Sequence, residues 1–170
     1  MESPAVLVDV DGVLNPFKRR RGYRRHRCSP DGITYKLWLN PGHGRLLLDL
    51  VEATGAELCW ATYWCDHAND WISPRIGLPT LPHVPIPRRP ADIEPPPTLG
   101  EWKVEHVARW TAGRPFVWFE DEPDAAAALN RETELGDHLL VEIDPLRGLT
   151  EAHIALAKDW LDQRRVRTAS

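Results

Sequence analysis

The sequence has few residues of the kinds that mark cross-linked or membrane-spanning proteins. Its 170 residues include three cysteines, which form no CxxC pair, so a disulfide framework or a structural zinc site is not expected. No apolar run approaches the roughly 18 residues that suggest a membrane span. The N-terminal segment lacks the basic and apolar regions of a signal peptide. We therefore expect a soluble, cytoplasmic protein without a membrane partner.

Charge is unevenly distributed along the chain. Seven of the 21 lysine and arginine residues fall within residues 18–27, leaving 14 basic residues against 25 acidic ones elsewhere. We call residues 18–27 the basic arm. A basic segment on an otherwise acidic chain favours a local anionic partner over general adhesion to polyanions.

Short apolar segments alternate with helical patterns along the chain. Strands are predicted over 4–10, 56–62, 114–122 and 137–144, and helices over 43–55, 65–73, 100–113, 123–133 and 148–165. This alternation predicts one α/β domain over 1–170, with helices flanking a mostly parallel sheet.

Two segments interrupt the alternation. Residues 17–39 contain a predicted β-hairpin, because the sequence Ser29-Pro30-Asp31-Gly32 has proline and glycine at their preferred turn positions. Residues 78–99 contain eight prolines, which exclude a long helix and predict a loop with one short extended piece near His83–Ile86.

Carboxylates follow the first and third predicted strands of the sheet. Asp9 and Asp11 end the first, Thr62 ends the second, and Glu120 and Asp121 end the third. Ligands of open α/β sheets bind at this edge. Neighbouring carboxylates repel unless a cation or proton lies between them, and an all-oxygen set suits Mg²⁺. Aspartates are also common in turns, so the Asp-X-Asp-Gly sequence alone would not decide between a turn and a site.

These residues carry a family resemblance. The segment "DVDGVLN" resembles the first motif of the haloacid dehalogenase-like (HAD) phosphatase superfamily, "LCWATYW" the second and "FVWFEDE" the fourth. Lys103, near the start of a predicted helix, is placed like the lysine of the third motif. The phrases "WATYW", "GLPTLPHV" and "GLTEAHI" are similar to small, mainly actinobacterial HAD proteins related to the HAD domain of Swiss Army Knife RNA repair proteins.

The resemblance implies a Rossmann-like fold and a role for each matched residue. Asp9 would be the nucleophile that forms an aspartyl-phosphate, and Asp11 would protonate the leaving group and then activate water. Thr62 would hydrogen-bond the phosphoryl oxygens. Lys103 would neutralise Asp9 and the phosphoryl group.

The resemblance also implies a Mg²⁺ site formed by Asp9, the Asp11 carbonyl and the acids of the fourth motif. That motif usually has two aspartates, and here its first acid is Glu120. We expect Asp121 to bind the metal directly, and Glu120 to lie outside the set of direct ligands.

The basic arm belongs to a segment that forms a flap over the active site in this superfamily. The resemblance therefore suggests that Arg20, Arg21, Arg24 and Arg25 contact substrate phosphates, with Tyr63 as a further substrate-binding residue. Two other interpretations stay open: a solvated, mobile arm, or an arm that pairs with the acidic body. For Tyr63 and the residues after it, packing against the sheet is the alternative, and we favour packing for Trp64.

Neither gap between the motifs is long enough for a full cap domain, and by analogy with the family an open site suits macromolecular ends. We therefore expect a Mg²⁺-dependent phosphatase acting on phosphorylated nucleic-acid ends or nucleotides. The alternatives are a small-metabolite phosphatase and a catalytically weak module that binds RNA through the arm.

Overall fold

The computed structural model describes residues 3–90, 92 and 94–169, so two positions of the proline-rich loop, 91 and 93, lie outside the described residues. A four-stranded parallel sheet has the strand order β4-β1-β5-β6. Its strands are β1 (Ala5–Val8), β4 (Glu57–Trp60), β5 (Phe116–Glu120) and β6 (His138–Glu142). The predicted α/β architecture with a parallel sheet is confirmed.

Helices cover both faces of this sheet. They are α1 (His43–Thr54), α2 (His67–Trp71), α3 (Ser73–Ile76), α4 (Leu99–Thr111), α5 (Ala125–Leu129) and α6 (Glu151–Ala169). Side chains of a strand alternate between the two faces. Val6 and Val8 therefore join one apolar cluster and Leu7 joins the other. All four residues of β1 are fully buried, which explains why its sequence is continuously apolar.

The predicted hairpin lies between β1 and α1. Strand β2 (Arg24–Cys28) pairs antiparallel with β3 (Tyr35–Leu39), and a 3-10 turn at Pro30–Gly32 connects them. Asp31 has a φ of 54° and Gly32 a φ of 77°, so the turn needs residues that tolerate the left-handed region. We call this hairpin the flap. Among the described residues between β1 and β4, the flap and α1 are the only helical or strand elements beyond the 3-10 turn, so no full cap domain is inserted there.

The proline-rich loop is tied to the sheet despite its lack of long elements. Trp60 donates to the Pro82 carbonyl at 2.9 Å, and Val84 donates to the Trp60 carbonyl at 2.8 Å, which confirms the predicted extended piece. The loop ends in a capping box, in which Thr98 and Glu101 each bond the other's backbone N–H. Helix α4 therefore starts at Leu99, and the sequence "TLGE" carried that signal.

Within the described parts of the chain, no helix combines the length and the apolar character needed to cross a membrane.

Candidate active site

The strand order brings the predicted site residues that follow or end strands to the carboxyl end of the sheet. Strand β1 lies between β4 and β5, so Asp9 follows the middle strand, Thr62 follows one neighbour and Glu120 ends the other. The main chain continues this pairing beyond the strands, because Ala61 donates to the Val8 carbonyl and Asp9 to the Phe119 carbonyl. Asp9, Thr62 and Glu120 are each at most 3 % exposed.

Lys103 joins the carboxylates of two strands from helix α4. Its Nζ donates to Asp9 Oδ2 at 2.6 Å and to both carboxylate oxygens of Glu120 at 2.9 Å. Lys103 is 2 % exposed, so its charge is almost completely withdrawn from water. A buried charge of this kind is stable only when it is paired and hydrogen-bonded. Burial alone would lower the pKa of Lys103, but Asp9 and Glu120 outweigh it and hold that pKa above its ordinary value.

The carboxylate of Glu120 accepts several hydrogen bonds. Besides Lys103, its Oε1 accepts hydrogen bonds from the backbone N–H groups of Asp121 and Glu122 at 3.0 and 3.1 Å. Burial and the nearby Asp9 charge still raise the pKa of Glu120. Through these hydrogen bonds Glu120 fixes the position of Lys103 and of the turn that follows β5.

Asp121 occupies space that only a glycine leaves free. A Cβ added to Gly12 would lie 2.1 Å from Asp121 Oδ2, so the carboxylate packs directly over the turn after Asp11. Burial, and then the charge of Asp9, raise the pKa of Asp121 to about 6. The glycine, which has a φ of 77°, is therefore required both for its backbone conformation and for this close approach.

The residues present fit a divalent cation. Carboxylate oxygens of Asp9, Glu120 and Asp121 all lie within 4.8 Å of one another. When ionised, they exceed the single charge of Lys103 by two, and the donors are all oxygen, as Mg²⁺ prefers. The cluster could therefore bind the Mg²⁺ that the family resemblance implies.

Asp11 is held apart from that cluster by two donors. Asn15 Nδ2 donates to its Oδ1 and Trp64 Nε1 donates to its Oδ2, each at 2.8 Å. Asn15 Oδ1 in turn accepts a hydrogen bond of 2.8 Å from the backbone N–H of Trp38 in β3. Burial raises the pKa of Asp11, against the lowering effect of the two hydrogen bonds. The two aspartates of one motif therefore have different surroundings: Asp9 contacts an ammonium, and Asp11 contacts neutral donors.

Trp64 and Asn15 were not among the predicted site residues. The expected packing of Trp64 is confirmed, since it is 8 % exposed within the apolar core, but its indole also orients Asp11. Asn15 lies inside the motif "DVDGVLN", and its distance of four residues from Asp11 was the signal available.

Tyr63 lies between the buried centre and the surface. Lys103 Nζ is 5.4 Å from the centroid of its ring, and Tyr63 is 38 % exposed. The preceding residue, Thr62, is buried, and its hydroxyl accepts a long hydrogen bond of 3.4 Å from the Trp64 N–H. Tyr63 thus reaches both the site and solvent.

A pocket of about 500 Å³ opens beside Asp11. We call it the Asp11 pocket. Its walls include the flap turn, residues after β4 and the proline-rich loop, with Tyr35, Tyr63, Trp64, Arg88 and Arg89 among its lining residues. Arg88 and Arg89 were missed in the sequence, because a proline-rich loop gives no periodic signal that would predict its position.

The predicted arm residues lie in and just before strand β2, outside this pocket. All seven basic residues of the arm are exposed, and none of them lines the Asp11 pocket. Among described residues none of the seven forms an ion pair, which gives no support to an arm that pairs with the acidic body. Arg19 packs over the Trp38 ring at 5.3 Å.

The fold and the arrangement of strand-end carboxylates, threonine and lysine are those expected of a HAD-like domain. The family model described as "HAD domain in Swiss Army Knife RNA repair proteins" matches residues 5–154, and the chain belongs to this family. Searches of curated proteins and of solved structures gave no significant match.

Proposed function

We propose that this protein is a Mg²⁺-dependent phosphomonoesterase that acts through an aspartyl-phosphate. The observation that carries the proposal is the separation of tasks between Asp9 and Asp11. Asp9 lies against Lys103 in the buried acidic cluster, as a nucleophile facing a dianionic phosphate requires. Asp11 lies two residues away, held by uncharged donors and open to a pocket, as a group that exchanges protons with substrate and water requires.

The reaction has two balanced steps. An Asp9 carboxylate oxygen attacks phosphorus, the ester P–O bond breaks, and Asp11 gives its proton to the departing oxygen. A water molecule then gives a proton to Asp11 and attacks phosphorus. The P–O bond to Asp9 breaks, and phosphate leaves.

Other residues stabilise the charges of these steps. Lys103 offsets the negative charge of Asp9 and of the phosphoryl group, and Thr62 donates its hydroxyl to a phosphoryl oxygen. Mg²⁺ would be held by Asp9, Asp121 and the Asp11 carbonyl, and when bound it neutralises the phosphate and aligns it with the nucleophile.

We further propose that the substrates are phosphorylated nucleic-acid ends or nucleotides. The match to a domain of RNA repair proteins and the exposed basic arm support this choice. A small-metabolite phosphatase is the alternative enzyme. An RNA-binding module is the alternative from another class, and the same arm would favour it.

The test is a phosphate-release screen with and without Mg²⁺. Its substrates are p-nitrophenyl phosphate, 3′- and 5′-phosphorylated RNA and DNA, nucleotides and sugar phosphates. We expect Mg²⁺-dependent release with preference for the nucleic-acid substrates, and loss of release in Asp9→Asn. RNA binding without phosphate release from any substrate would favour the binding module instead.

Asp11→Asn separates the two steps. With p-nitrophenyl phosphate, whose leaving group needs no proton, the first step should continue and the second should slow, so acid-quenched protein should carry covalent phosphate. Absence of covalent phosphate together with normal turnover would contradict the assigned role of Asp11.

A further inference from the structure

The Asp11 pocket has a defined position relative to the proposed reaction. Asp11 is among its lining residues, whereas Asp9, Lys103, Glu120 and Asp121 are not. Asp11 is the group that protonates the departing oxygen, so a molecule in this pocket is attached on the leaving-group side of phosphorus. This step rests on the proposed function.

Aromatic rings form one part of the pocket wall. Tyr35 and Trp64 make an edge-to-face contact with centroids 5.5 Å apart, which holds both rings in place. Tyr63 and Tyr35 are 38 % and 43 % exposed, so each offers ring surface to a ligand. Aromatic faces of this kind stack on nucleobases without selecting a particular base.

Two arginines form another part of the wall. The loop that carries them is anchored, because Pro87 O accepts a hydrogen bond of 2.8 Å from Trp102 Nε1, and Ile86 O accepts one of 3.3 Å from Cys65 Sγ. Arg88 and Arg89 are exposed, and neither forms an ion pair with any carboxylate that the structure describes. Arg89 Nη1 donates to the Pro97 carbonyl at 2.6 Å, which leaves its other N–H groups for a ligand. Guanidinium groups on anchored backbone suit phosphate oxygens.

The phosphate that reacts belongs at the buried cluster, whose residues do not line this pocket. Arg88 and Arg89 therefore fit a second anion on the same substrate. The pocket volume of about 500 Å³ lies within the range for small-ligand sites, roughly 300–1,000 Å³.

We infer that the Asp11 pocket binds the leaving group, and that this group is a nucleotide, whose own phosphate is the second phosphate of the substrate. Its base stacks on Tyr63 and Tyr35, and this phosphate binds Arg88 and Arg89. A free nucleoside bisphosphate and the terminal nucleotide of an oligonucleotide share this chemistry.

The first test compares kcat/KM for adenosine 3′,5′-bisphosphate, AMP and a 5′-phosphorylated oligoadenylate. We expect the bisphosphate or the oligonucleotide to exceed AMP by about tenfold or more, since hydrogen bonds to charged groups contribute at least this factor. In R88A/R89A that ratio should fall toward one. The substrate with the higher value identifies the source of the second phosphate.

The matched comparison is R45A/R109A, which removes two exposed arginines that do not line the Asp11 pocket. Collapse of the ratio in this variant but not in R88A/R89A, or equal rates of the wild type on all three substrates, would overturn the inference. Mg²⁺-dependent turnover of p-nitrophenyl phosphate, lost in Asp9→Asn, tests the proposed function separately, so failure of one is distinguishable from failure of the other.

The second test concerns the base. AMP and ribose 5-phosphate differ only in the nucleobase, so their kcat/KM ratio reports stacking. Tyr63→Leu should lower this ratio by about fivefold or more, in line with stacking on aromatic side chains. An unchanged ratio would remove Tyr63 and the base from the inference.

Discussion

Lys103 and the basic arm show how differently positive charge is used in two regions of one chain. Lys103 is a single ammonium, 2 % exposed, with hydrogen bonds to Asp9 and Glu120. The arm has seven exposed cations and no ion pair among the described residues. Water and dissolved ions weaken the interactions of the arm charges, whereas Lys103 interacts with its partners in a region of low dielectric constant.

The difference teaches that placement decides what a charge does. The buried lysine holds two strand ends together and is fixed before any substrate arrives. The arm is free to meet an external anion and adds little to the stability of the fold. The comparison would break if the arm proved essential for folding or if the lysine proved dispensable.

The largest effect is expected from Lys103→Met. The variant leaves the buried carboxylates of Asp9 and Glu120 without their positively charged partner, which should cost about 3–5 kcal/mol in the free energy of unfolding. Loss of the charge from the reaction centre should lower kcat by roughly 10²–10³-fold. Urea denaturation and phosphate release measure the two effects, and near-normal values of both would refute the comparison.

The next effect distinguishes the two neighbouring acids Glu120, which ends β5, and Asp121, which follows it. Asp121→Asn should raise the Mg²⁺ concentration for half-maximal activity by about tenfold or more, because a direct ligand loses its charge. Glu120→Gln should instead lower stability, since Glu120 accepts hydrogen bonds from Lys103 and two backbone N–H groups. Mg²⁺ titration of both variants tests which acid binds the metal directly. A larger rise in the half-maximal Mg²⁺ concentration for Glu120→Gln than for Asp121→Asn would reverse our assignment.

His43 is another buried ionisable side chain, and its burial predicts that the stability of the fold depends on pH. Burial lowers the pKa of His43 to about 4, while an unfolded histidine has a pKa near 6.5. The unfolded state therefore binds the proton first, and the stability present above pH 6.5 is lost as pH falls toward 4. At pH 5 the loss should be about 2 kcal/mol. In His43→Gln the unfolding free energy should change less between pH 7.5 and 5; an identical change would exclude His43 as its source.

A smaller effect is expected from Trp64→Phe, which removes one donor to Asp11 and keeps an aromatic ring. Substrates with poor leaving groups need the proton from Asp11, so their kcat should fall by about tenfold. Turnover of p-nitrophenyl phosphate should fall much less, which general loosening of the core would not explain. Equal losses for both kinds of substrate would contradict a positioning role for Trp64.

The smallest effect on stability is expected from the arm. Replacing Arg20, Arg21, Arg24 and Arg25 by alanine should change the unfolding free energy by no more than about 0.5 kcal/mol. If the arm binds RNA, the slope of log affinity against log salt should become shallower by up to about 3. Urea denaturation and RNA binding at several salt concentrations test this, with Arg45→Ala/Arg109→Ala as a control for loss of exposed arginines.

The sheet and the site residues at the carboxyl ends of its strands could be predicted because their sequence signals are local. Each strand is a short apolar run, and Asp9, Thr62 and Glu120 come directly after or at the end of such runs. The contact between Trp64 and Asp11 joins residues 53 positions apart, and no sequence period reports it. Arg88 and Arg89 line the pocket because hydrogen bonds, among them those to Trp60 and Trp102, hold the proline-rich loop beside the site.

Asn15 has a consequence for which sequences this fold can accept. Its amide donates to Asp11 and accepts from the backbone of β3, so both of its ends are committed at once. An aspartate of the same shape would place a second negative oxygen against Asp11, and a leucine would leave Asp11 Oδ1 and the Trp38 N–H without this partner. The side chain of Asn15 therefore links the position of the flap to the orientation of Asp11. A substitution in β3 or next to Asp11 must preserve both contacts.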